Sequence, residues 1–183
     1  MISKRKKIVI IVGSASKHSA NQKIINYLSE RLGPAFELIV YSDLRIFPHF
    51  EPELSTNCPP LSIIELRTTI EHSDGVIICS PEYIFSIPSG LKNILEWCVA
   101  TTIFNGKPTG LITASASGKE GHKELKLIMN TLMAKFTEET TLLIQGVKSK
   151  VDFDGNITDQ VTEKELGTFL ITFESLVTES NML

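Results

Sequence analysis

Several things are missing from this sequence, and each absence closes a possibility. No apolar run approaches the ~18 residues of a membrane-spanning helix, so no passage through a bilayer is expected. The apolar stretch Ile8–Val12 is shorter than the roughly 7–15-residue core of a secretory signal, so none is expected at the start of the chain. There is no excess of positive charge. Lys and Arg number 18 against 21 Asp and Glu, a net charge of −3, so no global field draws the protein to nucleic acid. The basic run Lys4-Arg5-Lys6-Lys7 precedes a strand and reads as a solvated lead-in.

Cysteine is scarce. Three residues (Cys58, Cys79, Cys98) with no Cys-x-x-Cys spacing point to free thiols in a reducing compartment, the cytoplasm. Cys79 ends an apolar strand and Cys98 lies in a helical pattern, so both read as small core residues, whereas Cys58 is expected to be exposed. The four histidines show no metal-ligand spacing, and no metal is expected. There is no Gly-x-Gly-x-x-Gly fingerprint, no phosphate loop ending in Gly-Lys-Ser/Thr and no Gly-x-Ser-x-Gly elbow. Internal repeats and low-complexity tracts are also absent.

What remains is an alternation of strand and helix. Lys7–Gly13 (KIVIIVG) is a continuous run rich in β-branched residues, the mark of a strand covered on both faces. Ile24, Ile25, Leu28 and Leu32 recur at helical spacing over Ala20–Leu32, and Gly33-Pro34 ends that helix. Further strands are predicted at Phe36–Ser42, Asp74–Ser80, Thr109–Ser117 and Thr141–Val147. Helices are predicted at Leu61–His72, Pro88–Val99, His122–Ala134 and Thr162–Thr178, and Asp43–Pro60 reads as irregular. The pattern predicts one α/β domain over residues 1–183. Its sheet is doubly wound, five-stranded and parallel, with helices on both faces and the flavodoxin-like strand order 2-1-3-4-5. Ligands of such sheets sit at the carboxyl ends of the strands, beside the switch between the first and third.

Three loops therefore converge on one site. The first, Gly13–Asn21 (GSASKHSAN), places serines around a helix N-terminus, with Ser19 as the expected cap. Ser14, Ser16 and Ser19 can donate to phosphate oxygens and Lys17 can add charge, while His18 reads as a surface residue. The competing reading is a plain Ser-rich turn that caps a helix. The second loop, Ser80–Pro88, holds Tyr83, Ile84 and Phe85 between Pro81 and Pro88, a wall suited to something flat and apolar. Glu82 reads equally as a site residue or an interface charge. Trp97 reads as core or subunit interface, and Lys92 and Asn93 as helix surface, with interface or loop bracing as the other reading. The third loop, Ser115–His122, is made of small residues that let a ligand approach the backbone. A monophosphate cradle, a backbone floor and an aromatic wall suit a flat heteroaromatic monophosphate such as FMN.

At these residues the sequence resembles the NADPH-dependent FMN reductase family. The first loop is similar to that family's Gly-Ser-x-Arg-x-x-Ser-x-Asn at Gly13, Ser14, Ser19 and Asn21. The second is similar to Pro-Glu-Tyr-Asn-x-Ser-x-Pro followed by Leu-Lys-Asn and Trp, matched at Pro81, Glu82, Tyr83, Ser86, Pro88, Leu91, Lys92, Asn93 and Trp97. The third matches at Ser115, Ser117, Gly118 and Gly121. Ser16 stands in place of the usual Arg, and Ile84 in place of Asn. The resemblance implies a flavodoxin-like flavoprotein that binds FMN at the three loops, Ala20, Ile84 and Phe85 included, and is reduced by NADPH or NADH. It implies a small-molecule electron acceptor, such as a quinone, azo compound, metal oxyanion or free flavin. It also implies a homodimer or homotetramer with flavin sites near subunit interfaces. No catalytic acid or base is assigned. A non-catalytic FMN-binding module and a flavodoxin-like electron carrier are the alternative readings.

Overall fold

The computed structural model describes residues 5–16, 19–33 and 35–180. Five strands form one parallel sheet in the order β2-β1-β3-β4-β5, as the alternation predicts. They are β1 (Lys6–Val12), β2 (Phe36–Tyr41), β3 (Gly75–Ser80), β4 (Thr109–Ser115) and β5 (Thr141–Gln145). In β1, Val9 lies opposite Ile39 of β2 on one side and Val76 of β3 on the other. Every residue of β3 is buried, because helices cover both of its faces.

Helices α1 (Ala20–Leu32) and α6 (Gln160–Glu179) pack on one face. Ile24, Ile25, Leu28 and Leu32 of α1 meet Leu166, Phe169, Leu170 and Phe173 of α6 over Ile8, Ile10 and Ile77. The other face carries α3 (Leu61–Glu71), α4 (Ser89–Cys98) and α5 (Lys119–Thr131). There Ile63, Leu66, Leu91, Leu95, Leu125 and Met129 pack over Val9, Ile11, Val76 and Ile78. Cys79 and Cys98 are buried on opposite faces, one in each cluster. Burial pushes both thiols up, that of Cys98 to about 12, so neither is a nucleophile at neutral pH. Cys58 is exposed.

The stretch read as irregular carries more structure than its four prolines suggest. A 3-10 turn covers Leu44–Ile46, and a short helix α2 covers Pro52–Asn57 with Pro52 in its first turn, where a missing N–H costs nothing. The intervening chain is held on α4. Asn93 accepts from Phe50 N at 2.7 Å and donates to Pro48 O at 2.9 Å, and Trp97 Nε1 donates to the same carbonyl at 2.9 Å. Trp97 is thus a core residue and Asn93 a loop brace. Arg67 of α3 ties the region down through Ser55 and the Trp97 carbonyl. Helix α6 starts at Gln160, ahead of the expected Thr162, because Asp159 caps it by accepting from the Thr162 amide and hydroxyl. Among the described residues no helix is long and apolar enough to cross a membrane.

Gly110 shows how tightly α6 sits on the sheet. A methyl group there would lie 2.5 Å from Phe169 Cζ, beside Phe173. Gly110→Ala is expected to cost about 1–3 kcal/mol by overpacking, read as a lower urea midpoint with an unchanged m-value.

Candidate functional site

The sheet changes winding direction between β1 and β3, and the first loop leaves from that point. Gly13 N donates to Cys79 O at 2.8 Å, which extends the β1–β3 pairing one residue past β1. A Cβ on Gly13 would stand 2.8 Å from Ser80 Oγ and 3.0 Å from Leu91, so only glycine lets the chain turn there. Ser19 caps α1 as expected, accepting from Gln22 N at 3.1 Å. The amides of Ala20 and Asn21 have no partner among the described residues and open toward the loop at the positive end of the helix. The Asn21 side chain points inward. Its Nδ2 donates to Ala114 O at 3.0 Å and its Oδ1 accepts from the Cys79 thiol at 3.3 Å, so it braces α1 against β3 and β4. Lys17, named above as a phosphate ligand, and His18 lie outside the described residues.

The second loop is a tight two-residue hairpin. Tyr83 N donates to Ser86 O at 2.9 Å, and Ser86 N donates back to Tyr83 O at 3.1 Å. The two central residues have positive φ, 50° at Ile84 and 58° at Phe85, as a type I′ turn requires. Asn adopts that conformation readily, whereas a β-branched residue is strained there by roughly 1–2 kcal/mol. The Asn of the resembling motif therefore suits the backbone of this turn, and Ile84 fills the same place under strain. Ile84 is 94% exposed and Phe85 75%, so both project from the tip.

Both ends of the hairpin are fastened to α5. The Glu82 carboxylate accepts from the amides of Gly118 (3.2 Å), Glu120 (2.9 Å) and Gly121 (2.8 Å). This is an N-terminal cap supplied from another loop, and it suits the helix dipole. It explains why α5 begins at Lys119, three residues ahead of the expected His122. It also explains Gly121, where a Cβ would press on Glu82 Cβ at 3.2 Å. On the far side Glu124 accepts from Ser86 Oγ (2.6 Å), Ile87 N (2.9 Å) and Lys92 Nζ (3.2 Å). Burial pushes the Glu124 carboxyl up, but the hydrogen bonds from Ser86, Ile87 and Lys92, with the Lys92 charge, outweigh it and hold its pKa below the ordinary value. The side chains of Glu82, Ser86 and Lys92 thus hold the loop in place, and Pro81 is buried at its root.

The first and second loops meet at Ser14 Oγ and Tyr83 OH, 3.5 Å apart, and the first loop contributes to two clefts. One, of about 660 Å³, runs past Gly13, Ser14 and Tyr83 and is walled by Asp43, Leu44, Arg45, Phe47 and His49 after β2, and by Ser89, Gly90 and Asn93 of α4. Asp43 and Arg45 form a two-pronged ion pair at its edge, with distances of 2.8 and 2.7 Å. The other, of about 920 Å³, lies between Ser16, Ser19, Ala20 and Asn21, the end of β4 at Ala114–Ala116, and the chain after β5 at Gly146–Ser149. Sequence reasoning missed the segments after β2 and β5. Asp43 accepting from Arg45 N as the cap of a 3-10 turn was a readable signal for the first; nothing local marked the second. Ile84, Phe85, Ser117, Gly118 and Gly121 line neither cleft. Among the described residues no group of three or more His, Cys, Asp or Glu side chains is placed to hold a metal.

The donor set fits FMN. One end of the site offers free helix amides and serine hydroxyls for a phosphate. The third loop offers the amides of Ala116 and Ser117, which have no partner among the described residues, beside the hairpin wall. The N-terminus of α5 is already filled by Glu82, so the anion end of the site belongs to α1.

A parallel 2-1-3-4-5 sheet with its site at the β1/β3 ends defines a protein of the flavodoxin-like class. Within that class the chain belongs to the NADPH-dependent FMN reductase family, whose model matches residues 6–147. The chain is 27% identical over 178 residues to a 2-hydroxy-1,4-benzoquinone reductase of a Burkholderia species, covering 93% of this chain and 96% of that protein. It is 26% identical over 183 residues to a quinone reductase of Escherichia coli K12, covering 96% and 97%. Among solved structures it is similar to FerB, a flavoenzyme NAD(P)H:acceptor oxidoreductase of Paracoccus denitrificans. The TM-score is 0.78 at 26% identity, covering 96% of this chain and 98% of that one. The protein is an oxidoreductase that uses FMN and NAD(P)H.

Two outcomes test this geometry. Ile84→Asn is expected to raise stability by about 1 kcal/mol through relief of the positive-φ strain, seen as a higher urea midpoint. Because the pKa of Glu124 is lowered on folding, its contribution is complete above the ordinary value of about 4.5 and is lost as pH falls through the lowered one. The Tm gap between wild type and Glu124→Gln is therefore expected to be widest near neutral pH and to close in acid.

Proposed function

We propose that this protein is an FMN-dependent NAD(P)H:quinone oxidoreductase that works by a ping-pong sequence, NAD(P)H and the acceptor using one face of the cofactor in turn. The observation that carries this reading is the meeting of Ser14 and Tyr83, which joins an anion-binding loop to the hairpin at the wall of one cleft, while the same loop continues through Ser16 and Ser19 into a second. The names of similar proteins, two of them quinone reductases, support a quinone as the acceptor.

FMN supplies, when bound, a ring that accepts a hydride from NAD(P)H and delivers it to the acceptor. The protein's own contribution is binding, orientation and electrostatics. Gly13, Ser14, Ser16, Ser19 and the amides of Ala20 and Asn21 hold the phosphate. Pro81–Ser86 form the wall beside the ring, held rigid by Glu82 and Glu124. Ser115 and Ala116 form the floor, with Ser117 and Gly118 next to them in the third loop. The Gly118 amide is engaged by Glu82, so the amides of Ala116 and Ser117 are the donors left to stabilise negative charge on the reduced ring. The exposed tip of Ile84 and Phe85 supports a homodimer or homotetramer that closes over the site. The chain acts as one domain, and the reducing state implied by its free cysteines supports a cytoplasmic location.

Steady-state oxidation of NADPH and NADH by the FMN-loaded chain, across quinones, an azo dye, chromate and free FMN, tests the proposal. Parallel double-reciprocal lines with a quinone as the best acceptor are the expected result. Protein that binds FMN without NAD(P)H turnover would show a binding module instead, and a stable one-electron state would show an electron carrier.

A further inference from the structure

We infer that Lys148, on the connection after β5, is the cation that holds the FMN phosphate; the inference rests on the flavin reading above and names a residue of that site from outside the three loops. A phosphate carries close to two negative charges, and hydroxyls and amides alone leave that charge without a counter-ion. Lys17 of the first loop lies outside the described residues, and the described ones supply the hydroxyls of Ser14, Ser16 and Ser19 and the amides of α1. A cation on the connection after β5, which lines the same cleft, would add charge that the hydroxyls and amides of the loop do not carry.

The cleft of about 920 Å³ meets that need. Two lysines line it, Lys23 and Lys148, and no carboxylate does. Lys23 is already engaged. Its ammonium donates to Asp152 O at 2.8 Å and lies 5.4 Å from the centre of the Phe153 ring. Lys148 is exposed and makes no hydrogen bond or ion pair with the described residues.

The backbone under Lys148 is fixed. Gly146, at φ 63°, turns the chain off β5 into a 3-10 turn over Val147–Ser149. Gly146 N donates to Ala116 O at 3.1 Å, which fastens this turn to the third loop. Ser149 Oγ donates to Gly146 O at 2.9 Å and closes it, and Val147 is buried beneath it. Lys148 is thus presented from a pinned turn into a cleft that Ser16, Ser19 and the amide-bearing end of α1 also line.

The test is a comparison of FMN with riboflavin, which lacks only the phosphate. FMN-stripped full-length wild type, Lys148→Gln, a control Lys123→Gln on the exposed face of α5, and the double variant Ser16→Arg/Lys148→Gln are titrated by flavin fluorescence. Lys148→Gln is expected to bind FMN about tenfold more weakly with riboflavin affinity unchanged, as loss of one charge-assisted contact to phosphate requires. Lys123→Gln is expected to match wild type. Ser16→Arg is expected to recover FMN affinity in the double variant, because residue 16 lines the same cleft. A Lys148→Gln chain that binds FMN as tightly as wild type, or that loses FMN and riboflavin alike, overturns the inference and leaves the flavin reading standing. Wild type that binds neither flavin overturns both.

Discussion

The hydrogen bond from Gly13 N to Cys79 O (2.8 Å) sits where the sheet reverses its winding, and the site is built outward from it. To its left the chain crosses over to β2; to its right β3 leads to β4 and β5. Two consecutive crossovers leave from this point to opposite faces of the sheet, so a crevice opens between the first and second loops. Close approach of the two strand ends needs a residue without a side chain at position 13, with Ser80 and Leu91 within 3.0 Å of any added Cβ. The covering helices then have little freedom. One face is occupied by α1 and α6 and the other by α3, α4 and α5, each over a dry layer of Val, Ile and Leu.

Two helix N-termini face the site, and they are used differently. That of α5 is filled by the Glu82 carboxylate, which converts a potential anion site into a structural joint between the second and third loops. That of α1 keeps two amides open, because Ser19 satisfies only Gln22. The α1 end is thus the helix terminus left open to an anion, and the hairpin is fastened at both ends. Glu124 repeats the device on the other side of the hairpin, where it takes up Ser86, Ile87 and Lys92. A loop with two exposed apolar residues at its tip is held in one conformation by carboxylates at its root.

Much of this was legible in the residues themselves. The β-branched runs, the helical spacing of Ile24, Ile25, Leu28 and Leu32, and the cap at Ser19 led to a parallel sheet and its strand order. They also pointed to the three loops. Other readings needed the fold. Glu82 read as a ligand contact or an interface charge, and Asn21 as part of the phosphate loop, yet both side chains turn to bracing. Ile84 read as a chemical departure at a binding position. Its φ of 50° shows that the position is conformational first, since a type I′ turn favours Asn whatever the side chain contacts.

The chain's order of elements, its buried layers and the chemical character of each loop are properties of short segments, and periodicity, turn residues and caps reveal them because those signals act over a few residues. The partners of the loops are long-range facts. Glu82 finds its amides 36 to 39 residues away. Gly146 reaches Ala116 across two strand ends, and the segment after β2 is seated by Asn93 and Trp97 of α4. No local pattern specifies which loop caps which helix, or which lysine faces which cleft. Those pairings follow from where the crossovers set the strand ends side by side, and only the folded chain decides them.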